Sequence, residues 1–549
     1  MFQRGPARNS GSLHHGFERL PHLPSYFSDV SIMMRQHTYL LLAGILALSL
    51  GLTGCDTLNL GDDELSGLNE NPNASTEPDV NALLANGQRD IAFAWFGDNP
   101  TMRGANLLAQ YTTQNQYAEE AVFIDEPAVS DFSDFYNPLN DLEQTKTLIR
   151  NREQTVPRDQ NTVAVAMIHQ AWTFQIITDI YGSVPFEEAL QGPENPSPAY
   201  TPQQEIYPSL VDSLDAALGL IDAGAPGPTG DLVYGGDMAK WQKFANALKM
   251  RIGMRMSDAN PSEAQEAVES AAGSAFQSND DNAYFKFATS AQHRSTIYEN
   301  RFVAGRNDFD VADRFVNILT ENYSTVDPRT PTYVDEATAN PDKVYNGFPT
   351  HLQPSDAAGL KAQNVNDFFS KPGDRFLEPD VAAPMMLYDE VRFILSEAAE
   401  KGWNVPGSRD EHFEAAVRAS INEWNPDASD GDVDSYVTAV MDDLSNSEFT
   451  QVLGEQKWIA LYFQGIQGWS EWRRLDFEGH IREPAGGWQA GSCNNTLWAM
   501  RIDYPDGEFS VNRENVEQAA SEQFGGVEGD VYCNRLWWDT EQSPSDVLP

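Results

Sequence analysis

The sequence predicts a mainly α-helical fold, in which paired helices form a scaffold that a long loop-rich insertion interrupts. An apolar stripe at three- and four-residue steps marks one helix over residues 161–181, and it consists of Val165, Ile168, Trp172, Ile176 and Ile180. Residues 385–401 and 409–424 repeat this pattern as a hairpin of about 34 residues, which is tetratricopeptide-like in length. Between about residues 279 and 384 the periodicity fades, and Gly, Pro, Asn, Asp and aromatic residues dominate.

The N-terminal region carries targeting features rather than periodic structure. Residues 1–32 are expected to be a non-native or unstructured extension, because a Met-Met pair follows as the expected start. Residues 33–54 join a short basic segment to an apolar run and end in Leu-Thr-Gly, which predicts a lipoprotein signal peptide and lipidation of Cys55. A plain signal peptide with a chance cysteine is the alternative. Residues 55–78 form an acidic tether, which several acyl chains would anchor stably to a membrane.

Residues 79–549 are expected to form a single domain with the insertion at about 279–384. Periodicity predicts its helices at 80–96, 104–117, 132–149, 161–181, 203–222, 239–256, 261–275, 385–401, 409–424 and 448–463. Gly182 suits a left-handed residue after a helix and Pro185 prevents continuation, so the helix at 161–181 ends there. Trp172, Trp241 and Trp458 continue apolar stripes and are interpreted as core residues. Two further hairpins follow from helix length, 132–149 with 161–181 and 203–222 with 239–256.

The charge of the chain is strongly acidic. It has 82 Asp and Glu against 36 Lys and Arg, which gives a formal net charge of −46. Such a surface repels polyanions, so nucleic acid is excluded as a partner. High external salt would screen the self-repulsion, which indicates a halophilic source. A chain kept soluble by its charge is the alternative.

Sequence signatures of catalysis are absent. There is no Gly-x-Ser-x-Gly elbow, phosphate-binding loop, His-Glu-x-x-His pair or clustered Cys/His spacing, so we expect no enzyme and no cofactor. Whether a metal binds stays open, because calcium sites built from scattered carboxylates leave no linear motif. Besides Cys55, the chain has Cys493 and Cys533. In an exported protein such a pair predicts a disulfide, with two unpaired thiols as the alternative.

Four stretches in order resemble the SusD/RagB-like outer-membrane lipoproteins, specifically the second SusD-like type. They are Asn161–Leu190 with its Ala-Trp, Thr-Asp-x-Tyr-Gly and Val-Pro-Phe groups, then Gly230–Met256, Glu455–Arg474 and Arg501–Asn515. With Asn71-Pro72-Asn73 near the start, they cover nearly the whole mature chain. The resemblance implies the SusD-like fold, which is a helical-hairpin scaffold with an elaborated loop region. It also marks Trp472-Arg473-Arg474 as a hallmark, in which we expect the arginines to pair with carboxylates.

The resemblance implies a surface-exposed outer-membrane lipoprotein that binds an oligosaccharide and delivers it to a SusC-like TonB-dependent transporter. Its partners would be that transporter, the glycan and, through the N-terminal lipid anchor, the membrane. Two alternatives stay open, namely a peptide or another nutrient for the same kind of transporter and a surface glycoside hydrolase.

Family resemblance places the ligand surface on the loops after the first helices and on the insertion. Sugars need aromatic faces together with fixed amide, carboxylate or Arg groups. The candidates in this chain are Trp95, Tyr111, Gln116, Tyr117, Tyr298 and Arg306. For each aromatic residue a core role is the competing interpretation, and it is favoured for Trp95 and Tyr111 because both continue helical stripes.

Overall fold

A computed structural model describes residues 78–122, 127–350, 352–364, 366–476, 499–526, 532 and 534–540. Residues Pro78–Pro549 cluster into one compact unit. The described residues are mostly helical with a few short strands, which confirms the predicted mainly α fold. The predicted signal peptide, the tether as far as residue 77, Cys55, Cys493 and Cys533 lie outside the described residues.

The scaffold consists of helices that pack in consecutive pairs. The longer helices are α1 (Val80–Phe96), α2 (Phe132–Arg150), α3 (Pro157–Tyr181), α4 (Gln203–Leu220), α5 (Met238–Arg255), α6 (Pro261–Ala271), α7 (Asp313–Glu321), α8 (Pro354–Gln363), α9 (Tyr388–Glu400), α10 (Arg409–Trp424), α11 (Asp430–Asn446), α12 (Phe449–Ala460), α13 (Gly465–Leu475) and α14 (Arg513–Phe524). The most extensive helix packing joins α1 to α2, α3 to α4, α5 to α6 and α9 to α10. Side chains cap several of these helices. For example, the Asp237 carboxylate accepts the backbone N–H groups of Ala239 and Lys240 at the start of α5, at 3.1 and 3.2 Å.

Short elements connect the helices. Single helical turns and short 3-10 or π segments lie at Asn99–Ala105, Asn106–Leu108, Gly192–Glu194, Asn279–Asp281, Thr296–Tyr298, Glu299–Val303, Thr330–Tyr333, Asp374–Phe376 and Glu508–Val511. The strands are β1 (Thr112–Gln114), β2 (Val184–Pro185), β3 (Tyr200–Thr201), β4 (Ala283–Lys286), β5 (Phe309–Val311) and β6 (Ala382–Met386). They form three two-stranded antiparallel sheets, which pair β1 with β5, β2 with β3 and β4 with β6.

The two helix pairs that were predicted from helix length are not the most extensively packed pairs. Helices α2 and α3 do pack together, as do α4 and α5, but α3 packs more extensively on α4 and α5 on α6. The reason is that α2 already has α1 as its partner. Helix length, on which the predicted pairs were based, does not say which of two neighbours a helix prefers.

The predicted helix at 104–117 is wrong. Its helical part ends at Leu108, Gln110 has a left-handed φ of 55°, and the chain enters β1. Leu107, Leu108 and Tyr111 have helical spacing because all three are buried, not because one helix carries them. The structure also contains α11, which the sequence reading left out, and it places Trp469–Arg474 inside the separate helix α13.

The predicted core tryptophans and the hallmark arginines lie in the core. Trp172, Trp241 and Trp458 are buried, which confirms their interpretation as core residues. Arg474 forms ion pairs with Glu397 at 2.6 Å and Glu471 at 2.8 Å, as expected. Arg473 differs, because its guanidinium lies between the rings of Trp469 and Trp538 and donates to backbone carbonyls and to a serine hydroxyl.

Candidate functional site

The candidate site forms where the chain leaves α1 and meets the segment 296–309. Strand β1 pairs with β5 so that Gln114 lies opposite Phe309. The backbone N–H of Asp98 donates to the Thr296 hydroxyl at 2.7 Å, and the Asn300 side-chain amide donates to the Asp98 carboxylate at 2.8 Å. These contacts link residues that are about 200 positions apart in sequence. They bring together the two regions that the family resemblance nominated.

Two cavities open at this junction. The larger has a volume of about 970 Å³ and is lined by α1, the turn after it, the start of α2 and the segment 296–304. The smaller has a volume of about 390 Å³ and is lined by residues of the same turn, of the loop at 114–120 and of the segment 300–309. Asp98, Asn99 and Asn300 line both cavities.

Three of the predicted ligand residues meet at the smaller cavity. Gln116, Tyr117 and Arg306 all line it. Tyr117 is 57% exposed, and the Arg306 guanidinium lies 5.3 Å from the centre of its ring. Arg306 also forms an ion pair with Asp308, and the Gln116 side-chain oxygen accepts from the Lys361 ammonium at 3.2 Å. An aromatic face, an amide and a guanidinium are therefore held within one cavity.

Tyr298 lies in the neighbouring segment but lines neither cavity. Its ring centre is 5.2 Å from that of Phe302, and the Arg294 guanidinium lies 5.4 Å from it. Tyr298 is half-buried. It supports the segment that contributes Thr296, Glu299 and Asn300 to the larger cavity.

Trp95 and Tyr111 lie in the core and line neither cavity. Trp95 is 7% exposed and packs edge-on against Trp172, with ring centres 4.9 Å apart. Tyr111 is 0% exposed, and its hydroxyl donates to the Trp458 carbonyl at 2.7 Å. Both rings are packed in the core, so the core interpretation applies and neither face is open to a ligand.

Sequence reasoning missed other residues of the site. Phe302 is 53% exposed and is the sequence neighbour of Val303, which lines the larger cavity. An aromatic residue in a polar stretch without periodicity could have been noticed. Asp98 and Asn300 have no comparable sequence signal, because only a tertiary contact joins them.

The electrostatics of the junction depend on Asp98. Burial raises the pKa of its carboxyl to about 6, although the hydrogen bond from Asn300 and the charges of Arg103 and Arg306 act in the opposite direction. Arg103 itself is paired with Glu120. In the parts of the chain that the structure describes, no group of three His, Cys, Asp or Glu side chains is arranged to hold a metal ion.

The described residues form a helical scaffold that carries polar, partly aromatic cavities at its loops. A family profile described as "Starch-binding associating with outer membrane" matches residues 72–505, and the chain therefore belongs to the SusD-like family. No described helix is long and apolar enough to cross a membrane.

Solved structures share the fold over most of this chain. A chitin-binding protein is 23% identical with a TM-score of 0.70, and the match covers 84% of this chain and 100% of the other. A chitin-binding SusD homologue from Flavobacterium johnsoniae is 20% identical with a TM-score of 0.69, covering 84% and 99%. A SusD homologue from Bacteroides thetaiotaomicron is 20% identical with a TM-score of 0.68, covering 85% and 100%. Curated proteins give no match.

Proposed function

We propose that this protein binds an oligosaccharide at the two cavities and delivers it to a SusC-like TonB-dependent transporter, while lipid on Cys55 holds it at the outer-membrane surface. The observation that carries the proposal is the placement of exposed aromatic side chains. Among the described residues, only Tyr117 and Phe302 are aromatic and exposed, and both lie at this junction. Exposed aromatic faces beside amides and carboxylates suit the stacking and hydroxyl contacts that a sugar needs.

Capture without bond cleavage is the proposed mechanism. The ligand is concentrated at the transporter because the binding protein is tethered beside it. Closure over the pore then commits the ligand to transport. The family description, which names starch binding and the outer membrane, supports this mechanism, and so do the two relatives described as chitin-binding.

The test is calorimetric titration of the purified chain with a panel of glycans and peptides. We expect saturable binding of at least one oligosaccharide and no new products in the same mixtures. Tyr117→Ala and Phe302→Ala should each weaken binding by about 2- to 10-fold, which corresponds to about 0.5–1.5 kcal/mol for one aromatic contact. Val344→Ala is the matched control, because Val344 is also exposed but lines neither cavity.

Three results would contradict the proposal. Peptide binding without glycan binding would show that the ligand is a peptide and not an oligosaccharide. Cleavage of the glycan that is lost on substitution of one carboxylate would make the protein a glycoside hydrolase. Failure of a TonB-dependent transporter to co-purify with the membrane-anchored protein would remove the delivery step.

A further inference from the structure

A third cavity lies between helices α2, α3 and α4 and the loop at 186–191, and we call it the α2–α4 cavity. Its volume is about 320 Å³. It shares no lining residue with either cavity of the candidate site. Most of its wall is apolar and consists of Met167, Ala171, Phe174, Phe186, Leu190 and Leu210. A molecule bound here would therefore be a second ligand, independent of one at the candidate site.

The wall of the α2–α4 cavity also contains a buried ammonium group. Lys146 lines the cavity and is 9% exposed. Its Nζ atom lies 2.6 Å from a carboxylate oxygen of Glu143 and donates to the side-chain oxygen of Gln170, also at 2.6 Å. A lysine ammonium has three N–H groups. The third has no acceptor among the described residues, so an oxygen atom of a bound ligand can accept it.

The charges around Lys146 favour an uncharged ligand. Burial lowers the pKa of the Lys146 ammonium, and Arg150 acts in the same direction, whereas Glu143 acts in the opposite one. A cationic ligand would add a further positive charge beside the ammonium. A carboxylate ligand would share the ammonium with Glu143, and the two anions would repel each other at close range. A carbonyl or hydroxyl oxygen accepts the third N–H without either repulsion.

The aromatic residues of the wall favour a ring in the ligand. The ring centres of Phe174 and Phe186 are 4.8 Å apart and their planes meet at 81°, which is an edge-to-face contact. Phe174 is buried, whereas Phe186 is only half-buried and lines the cavity. An aromatic ring that packs against Phe186 would extend this contact and cover the part of its surface that is open.

We propose that the α2–α4 cavity binds a small, uncharged aromatic molecule that carries a carbonyl or hydroxyl oxygen. The oxygen accepts the third N–H of Lys146, and the ring packs against Phe186 and the aliphatic side chains of the wall. This second site goes beyond the proposed glycan binding and does not rest on it, because the cavities have no lining residue in common.

The experiment titrates four small probes against the purified chain and follows them by ligand-observed NMR. Benzamide has the ring and an uncharged carbonyl, benzoate and benzylammonium replace the amide by an anion or a cation, and hexanamide keeps the amide without the ring. We expect benzamide to bind with a Kd below about 1 mM. It should bind about tenfold more tightly than either charged probe and about threefold more tightly than hexanamide.

Three variants test the lysine, its charge partner and the space separately. Lys146→Met should weaken benzamide binding about tenfold, because the ammonium donor is lost. Glu143→Gln should reverse the preference, so that benzoate binds more tightly than benzamide, because Lys146 then has no other anion beside it. Ser213→Leu, at a half-buried position that lines the cavity, should abolish saturable binding by occupying the space.

The matched control is Lys249→Met. Lys249 is 7% exposed and is paired with Asp215 at 2.6 Å, but it does not line the α2–α4 cavity. The control should leave benzamide binding unchanged. It shows whether the loss of a buried, paired lysine acts through the cavity or through the stability of the fold.

Three outcomes overturn this inference. The first is binding of benzoate or benzylammonium to the wild-type chain as tightly as benzamide. The second is a benzamide affinity that stays unchanged in Ser213→Leu, which would place the ligand elsewhere even if Lys146→Met does not fold. The third is the absence of saturable benzamide binding up to about 10 mM. Because the α2–α4 cavity is separate from the candidate site, each of these outcomes leaves the proposed glycan binding intact.

Discussion

Replacing Glu471 by Gln should destabilise the protein strongly, because this carboxylate is the centre of a buried ionic network. One oxygen accepts from two nitrogens of Arg255, at 2.8 and 3.2 Å. The other accepts from the ammonium of Lys457 at 2.8 Å and from Arg474 at 2.8 Å. All four side chains are buried. Glu471→Gln keeps the volume but turns one acceptor into an N–H donor that faces a cation.

The expected loss in the free energy of unfolding is about 3–5 kcal/mol, the usual result of removing one partner from a buried ion pair. That is a large part of the roughly 5–15 kcal/mol by which domains are stable. The measurement is urea unfolding at pH 7, followed by circular dichroism, with the slope held common. Glu266→Gln on α6 is the control, since this exposed side chain should change stability by less than about 0.5 kcal/mol. A loss below about 1 kcal/mol for Glu471→Gln would refute the reasoning.

The same variant makes a prediction about pH. Burial opposes ionisation, but Arg474, Lys457 and Arg255 outweigh it and hold the pKa of Glu471 well below its ordinary value. In the unfolded chain the carboxyl titrates near its ordinary pKa of about 4.3. Its stabilising contribution is therefore fully present above that pH and is lost as the pH falls toward the folded pKa. The difference between wild type and Glu471→Gln should shrink below about pH 4.

Three further predictions concern other parts of the molecule. Gly468→Ala should destabilise by about 1–3 kcal/mol in urea unfolding, because a Cβ there would overlap the buried Tyr111 hydroxyl; wild-type stability would show that the ring can move. Burial raises the pKa of Asp98 to about 6, so its stabilising contribution is complete below its unfolded pKa of about 3.9 and is lost as the pH rises through 6. Asp98→Asn should therefore raise stability by about 2 kcal/mol at pH 8 and by little at pH 4, and an equal change at both would contradict the assigned pKa. With a net charge of −46, the thermal midpoint should rise between 0.05 and about 1 M NaCl as salt screens the repulsion, and a falling midpoint would contradict this.

Local pattern was sufficient for the scaffold where one helix face carries one apolar stripe. Helix α3 ends at Tyr181, and Gly182 has a φ of 89°, as its Gly-x-x-Pro ending predicts. The acidic helix α11 could have been found too, because Tyr436, Val437, Val440 and Leu444 form a helical stripe. The end of the helix at Leu108 could not have been predicted. It is set by the pairing of β1 with β5, which lies about 200 residues later in the chain.

How much of the candidate site could be predicted also depended on whether its contacts are local or distant in sequence. Gln116, Tyr117 and Arg306 were predicted from where the family resemblance places the ligand surface, and the structure brings them to one cavity. Trp95 and Tyr111 are buried in the core and so cannot offer an aromatic face to a ligand, Trp95 from helix α1 and Tyr111 from the turn before β1. No periodicity indicates that Asp98 and Asn300 meet, so the junction of the two cavities required the fold.

The candidate site differs from the scaffold in whether its carboxylates are paired with cations, more than in how many charges it has. In the core, Arg255, Lys457 and Arg474 surround Glu471, so buried ionisation is compensated by direct bonds. At the cavities, the Asp98 carboxyl keeps a raised pKa and has an amide as its hydrogen-bond partner instead of a cation. Such a group destabilises the folded chain at neutral pH.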